Sequence, residues 1–140
     1  MDYSYVVTPF LAWLVAGILK FSINSIKAKR LAFGLIGYGG LPSNHSAIVS
    51  SMATLVALKE GVGHPAFGVA LTVAFIVMLD AISLRREVGK HAVAINQWAV
   101  PDRKHAKLRE RMGHTPLEIV TGILVGAIVG ATVYRLVHTI

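Results

Sequence analysis

A chain of 140 residues with 54% hydrophobic residues, 15% charged residues and a mean hydropathy of +0.62 is too apolar for an ordinary soluble fold, and its length suits one membrane domain. The absence of cysteine excludes a disulfide framework and a thiolate zinc site. The net charge of +7 lies in clusters between apolar segments rather than in a separate tail, which points to an anionic membrane surface and away from nucleic acid.

A hydrocarbon core of about 30 Å asks for roughly 20 apolar residues per helix, with about 17 as the short limit. The stretch from Tyr3 to Leu19 carries no charge and is the first candidate span. Pro9 inside it either kinks the helix or marks where it meets lipid. No basic n-region or small-residue cleavage site accompanies it, so the segment is expected to be retained rather than removed as a signal peptide. Lys20, Lys27, Lys29 and Arg30 form a basic connection, and the Gly-rich run from Leu31 to Leu41 is too broken to be a span. The second helix is expected over Ser43 to Leu58, where Ser46, Ser50, Ser51, Ala53 and Thr54 give a surface suited to close packing on other helices rather than on lipid. A tight turn from Lys59 to His64 leads into a third helix, Pro65 to Leu79, which ends near Asp80.

The stretch from Arg85 to Arg111 is polar and holds eight of the fourteen Lys and Arg residues. Within it Val93, Ile95, Trp98 and Val100 predict a short interfacial helix closed by Pro101-Asp102, with the indole in the headgroup zone. The fourth main helix is expected over Pro116 to Val137. Its Gly122, Gly126 and Gly130 form a ladder for close helix packing, inside the chain or against a second copy, so a homo-oligomer is an open expectation. The fold class is therefore all-α: one integral membrane domain over residues 1–140, with four main transmembrane helices plus a short interfacial helix.

Four spans put the two basic connections on one side, which the positive-inside rule makes cytoplasmic, with both termini outside. The expected location is a cell inner membrane, crossed several times. Lys20, His45, Asp80, Arg85 or Arg86, and His114 all arrive at that cytoplasmic face. Two stretches stand out there: Gly39-Gly40-Leu41-Pro42-Ser43-Asn44-His45-Ser46 and Gly113-His114-Thr115-Pro116-Leu117-Glu118. Each sets a histidine at a Gly/Pro-marked helix start with Ser43 or Thr115 as N-cap. A helix start offers unpaired N–H groups and the positive end of the dipole, so it is an anion site.

Two histidines facing one phosphate can divide phosphoryl transfer, one attacking phosphorus and the other protonating the leaving oxygen, while nearby cations stabilise the equatorial oxygens. The sequence carries no HExxH, paired carboxylate motif or Asp-rich stretch, so the chemistry is expected to need no metal and no cofactor. Thr115-x-x-Glu118 is also a capping box, compatible with a second role for the carboxylate. Asp80 either orients a histidine or neutralises Arg85. His64, His91, His105 and His138 read as bystanders, and the charge run from Arg103 to Arg111 as lying on anionic headgroups.

The segments GGLPSNHSA, DAISLRREVGKHA and GHTPLEIVTG, in this order, resemble the divergent, small bacterial and plant branch of the type 2 phosphatidic acid phosphatase and vanadium-dependent haloperoxidase superfamily. Its signature is K-x6-R-P, then P-S-G-H, then S-R-x5-H-x3-D, and the likeness runs from about Lys20 to Gly126. The resemblance implies a metal-independent lipid phosphatase working through a phosphohistidine. It makes His114 the nucleophile, Glu118 the carboxylate that orients it and His45 the proton donor to the leaving group. Ser43 becomes part of the phosphate cradle, Arg85 or Arg86 the phosphate-binding arginine, and Lys20 and Lys27 the first element. Asn44 and Asp80 are neighbours of that site. Asn44 replaces the signature glycine, and 28 residues rather than five lie between Arg85 and His114. The implied partners are the membrane and a substrate such as phosphatidylglycerol phosphate, phosphatidic acid or polyprenyl diphosphate. A non-enzymatic lipid-phosphate binder or transporter is the competing reading. A purely structural membrane subunit leaves the paired histidines unexplained.

Overall fold

The computed structural model describes residues 2–31, 40–98, 107–110 and 112–139. Five helices are found among them: α1 (Ser4–Ala28), α2 (Asn44–Glu60), α3 (Pro65–Ile82), α4 (Leu84–Trp98) and α5 (Pro116–Thr139). Most of the Gly-rich run, together with Val100, Pro101-Asp102, His105 and most of the basic run from Arg103, lies outside the described residues.

Three helical stretches are long and apolar enough to cross a membrane: α1, α3 continued into α4, and α5. Their large apolar side chains, among them Phe10, Leu14 and Ile18 of α1, Phe75 and Ile76 of α3, and Leu124 and Ile128 of α5, point outward and are more than half exposed except Leu14, at 50%. In a bilayer such surface faces lipid. The second helix of the expected bundle differs. At 17 residues α2 spans about 25 Å at 1.5 Å per residue. It packs against α1, α3 and α5, burying Ser46, Ala47, Ser50, Ser51, Leu55 and Val56. Small and hydroxyl-bearing residues are what a helix surrounded by other helices needs, and they are why its hydropathy is low.

The α2–α5 contact is set by the glycine ladder. A Cβ added at Gly122, Gly126 or Gly130 would lie 2.5, 2.3 or 2.5 Å from the carbonyl oxygens of Ser43, Ala47 and Ser51. No backbone could yield that much, so the two helices are in parallel register through absent side chains. The face that the sequence offered equally to a second copy is thus used within the chain. On the other side, α1 presents its own small stripe, Ser4, Thr8, Ala12 and Ala16, all buried.

Helix directions follow from end contacts. Lys59 near the end of α2 bonds Asp2 and Ser4, and Tyr5 bonds Glu60, so α1 runs antiparallel to α2. The carbonyl of Ala81, among the last four of α3 and so without an intrahelical partner, accepts the His114 N–H at 3.0 Å, so α3 runs antiparallel to α5. The starts of α2 and α5 and the ends of α1 and α3 therefore share one end of the bundle.

Two expectations change. The first helix continues nine residues beyond Leu19 to Ala28, closed by Lys29 in the left-handed region, because a charged residue ends a span but not a helix. The interfacial helix begins at Leu84 rather than near Val93. Its polar first turns look like loop by composition. Yet no glycine or proline separates Leu79 from Val88, and Gly89 with Ala92 forms a buried stripe.

Candidate active site

At the shared end, a cavity of about 350 Å³ is lined by Trp13 and Lys20 of α1, Asn44, His45 and Ile48 of α2, Arg85 of α4, and Arg109, Met112, Gly113 and His114 from the segment before α5. The His45 and His114 ring centroids are 6.1 Å apart, tilted by 56°.

His114 is held from three directions. Its N–H is taken by Ala81 of α3, and its Nδ1 lies 3.0 Å from Glu118 Oε2, with both side chains buried. Gly113 before it has φ +87°, and a Cβ there would meet Arg86 Cγ at 3.0 Å and the Ala81 carbonyl at 3.2 Å, so only glycine brings the chain past α3 at this point. Glu118 makes both of the contacts that its sequence position allowed. The oxygen facing His114 also accepts the Thr115 N–H at 3.0 Å, while the Glu118 N–H donates to Thr115 Oγ1 at 3.3 Å. An ionised carboxylate only accepts, so with Glu118 ionised the hydrogen of this contact sits on His114 Nδ1.

Across the cavity, His45 sits in the first turn of α2, whose leading N–H groups have no intrahelical acceptor. Asn44 beside it packs its amide over α1, with Nδ2 3.7 Å from where a Gly17 Cβ would stand; its Oδ1 is buried without a hydrogen-bond partner. Arg85 reaches the cavity with its Nε 2.8 Å from Asp80 Oδ2. Of the two roles open to Asp80, the structure shows pairing with Arg85.

Three of the expected phosphate-site residues stand elsewhere. Ser43 is fully buried, its Oγ taking the N–H (3.3 Å) and hydroxyl (3.0 Å) of Ser46 and its own N–H donating to the Glu118 carbonyl at 2.8 Å. It ties α2 to α5 and does not line the cavity. Lys27 is exposed in the last turn of α1, two turns beyond Lys20, and Arg86 is exposed with its stem over Gly113. Neither lines the cavity. Among the bystanders, His64 caps α3 by accepting the Ala66 N–H, and the Nδ1 of His138 lies 3.0 Å from the Tyr134 carbonyl.

Arg109 is the residue that the sequence reading missed, having left it in a run assigned to headgroups. Its signal was present: it stands five residues before His114, one short of the arginine-to-histidine spacing of the R-x5-H element. Trp13 and Ile48 carried no signal beyond their hydrophobicity.

A helical membrane bundle holding a histidine pair and three basic side chains around one cavity at its helix starts defines the class. The profile of the Divergent PAP2 family matches residues 1–129, and the chain belongs to that family. It is also similar to a protein of Bacillus subtilis (strain 168) described as the uncharacterized membrane protein YuiD, with 34% identity over 132 residues, covering 82% of this chain and 84% of that protein. No solved structure matches the chain.

Proposed function

We propose that this protein is an integral membrane lipid phosphatase that hydrolyses a lipid phosphate monoester or diphosphate through a phosphohistidine on His114, without metal. The observation that carries this reading is the alignment of Glu118, His114 and His45 beside Lys20, Arg85 and Arg109. With Nδ1–H donated to Glu118, the Nε2 lone pair of His114 is free to attack phosphorus. The N–P bond forms as the bond from phosphorus to the leaving oxygen breaks, and His45 gives that oxygen a proton. His45 then takes a proton from water, whose oxygen attacks phosphorus. The N–P bond breaks, its electron pair returns to Nε2, and inorganic phosphate departs. The three cations and the first-turn N–H groups of Asn44 and His45 stabilise charge on the equatorial oxygens.

Trp13 and Ile48 support a lipid rather than a soluble ester. Trp13 lies seven residues before Lys20 on α1, about 10 Å deeper along the helix at 1.5 Å per residue, so the cavity runs from cations down to apolar side chains. Phosphatidylglycerol phosphate, phosphatidic acid and polyprenyl diphosphate are the candidate substrates. The basic residues around this end, Lys27, Lys29, Arg30 and those of α4, favour a cytoplasmic face of an inner membrane and hence a substrate made there.

The second reading, a lipid-phosphate binder without turnover, draws on Asn44, whose side chain stands where the superfamily signature has glycine. Purified protein in detergent decides between them. The phosphatase releases inorganic phosphate from a lipid phosphate in EDTA, is inhibited by vanadate, and loses release in His114→Ala with its fold retained. Lipid-phosphate binding that persists in His114→Ala, with no release by the parent protein, identifies the binder.

A further inference from the structure

We infer that Asn96 of α4 is a positioning residue for this cavity: its amide clamps the backbone of Leu108 and so sets the next residue, Arg109, where a bound phosphate meets it. The inference rests on the phosphate-site reading of the cavity.

Asn96 does not line the cavity, yet its amide makes three bonds to the segment that does. Nδ2 donates to the Leu108 carbonyl at 2.8 Å and Oδ1 accepts the Leu108 N–H at 2.9 Å. One side chain thus satisfies both main-chain polar groups of one residue, as a neighbouring strand would, and fixes the peptide planes on either side of it. The second Nδ2 hydrogen goes to Glu110 Oε1 at 2.9 Å. Asn96 holds the Glu110 carboxyl below the usual carboxylate range, with Lys107 adding to the effect.

A second attachment lies two turns back on the same face of α4. A Cβ at Gly89 would come within 2.6 Å of the Glu110 carbonyl, so the segment lies directly on the helix there, with Ala92 buried between the two attachments. Arg109 is the residue between Leu108, held by Asn96, and Glu110, seated on Gly89. A long, rotamer-rich side chain gains precision at its tip only when its own backbone is immobile. An amide is needed because the clamp uses a donor and an acceptor at once. Aspartate would turn an acceptor toward the Leu108 carbonyl and the Glu110 carboxylate.

The test uses the full chain in detergent with two readouts, hydrolysis of a lipid phosphate and calorimetric titration with sodium vanadate. Asn96→Ala is expected to raise KM and weaken vanadate binding about tenfold, within the range that small misplacements of positioning groups produce, while kcat stays within about twofold. Asn96→Asp shifts both in the same direction and further. In an Arg109→Ala background Asn96→Ala adds nothing, since the clamp acts through Arg109. Unchanged vanadate affinity in Asn96→Ala, full additivity with Arg109→Ala, or a fall in kcat without change in KM would overturn the inference. If the parent protein binds vanadate but hydrolyses no lipid phosphate, the phosphatase reading fails alone, and the vanadate affinities of the two Asn96 variants still decide the clamp. A parent protein that binds no vanadate removes both.

Discussion

The two ends of the bundle are built from the same helices and handle their charge in opposite ways. At the end where α1 begins and α2 finishes, Lys59 is almost buried, bonded to Asp2 and to Ser4 Oγ and stacked 4.5 Å from the Tyr5 ring centroid, while Tyr5 donates to Glu60. That pairing with Lys59 holds the Asp2 carboxyl well below its ordinary range. Here opposite charges meet and bring the first turn of α1 onto the last turn of α2. At the other end, Lys20, Arg85, Arg109 and two histidines share one cavity. Asp80 is engaged by Arg85, and Glu118 is turned to His114 and the α5 cap. Cations gathered beside helix starts leave a positive potential for a ligand to answer.

If that contrast holds, substitutions at the cavity end remove activity and leave folding intact, and those at the far end do the reverse. The largest effect is expected for His114→Ala, with phosphate release falling by at least about a thousandfold as the attacking nitrogen is lost. His45→Ala loses about 10²- to 10⁴-fold on a lipid phosphate. With an aryl phosphate, whose leaving oxygen needs no proton, the first-turnover burst of aryl alcohol is spared in His45→Ala while steady-state turnover falls with the slowed hydrolysis of the phosphohistidine; a burst rate that falls as far as the lipid rate would remove His45 from the proton-donor role. Glu118→Gln retains an oxygen for the Thr115 N–H, so the cap survives while the imidazole loses its carboxylate. Turnover is expected to drop by about a hundredfold or more at nearly unchanged melting temperature. Arg109→Ala should raise KM by roughly thirtyfold, matching about 2 kcal/mol for a charge-assisted hydrogen bond. The smallest effect on catalysis belongs to Lys59→Met, which leaves kcat and KM unchanged and lowers the melting midpoint in detergent. Lost activity in Lys59→Met without lost stability would erase the distinction between the ends.

The sequence was most legible where a residue type has one physical use. The histidines at Gly/Pro-marked helix starts, the capping box at Thr115 and Glu118, and the helical membrane architecture all follow from local chemistry, and the structure brings His45 and His114 to the same end. It was least legible where a residue has several uses. A serine at an N-cap suits a phosphate cradle or a helix cap, and only packing shows that Ser43 is spent on Ser46 and α5. Adjacent arginines differ by the helix face they occupy, which separates Arg85 from Arg86. Arg109 was hidden in a basic run because the residues on either side of it, Leu108 and Glu110, contact Asn96 and Gly89, 13 and 20 positions before Arg109, and such long-range seating has no periodic signature. The second helix shows the converse: its small residues, expected to form a packing surface, belong to the helix that packs against α1, α3 and α5.

Rapid acid-free quenching after mixing the protein with a lipid labelled in its phosphate, in EDTA, tests the central assignment most directly. The expected result is an acid-labile, base-stable label on the parent protein that maps to His114, accumulates in His45→Ala when an aryl phosphate is the donor, and is absent from His114→Ala. Phosphate release by the parent protein with no label on His114, or undiminished release by His114→Ala, would contradict it.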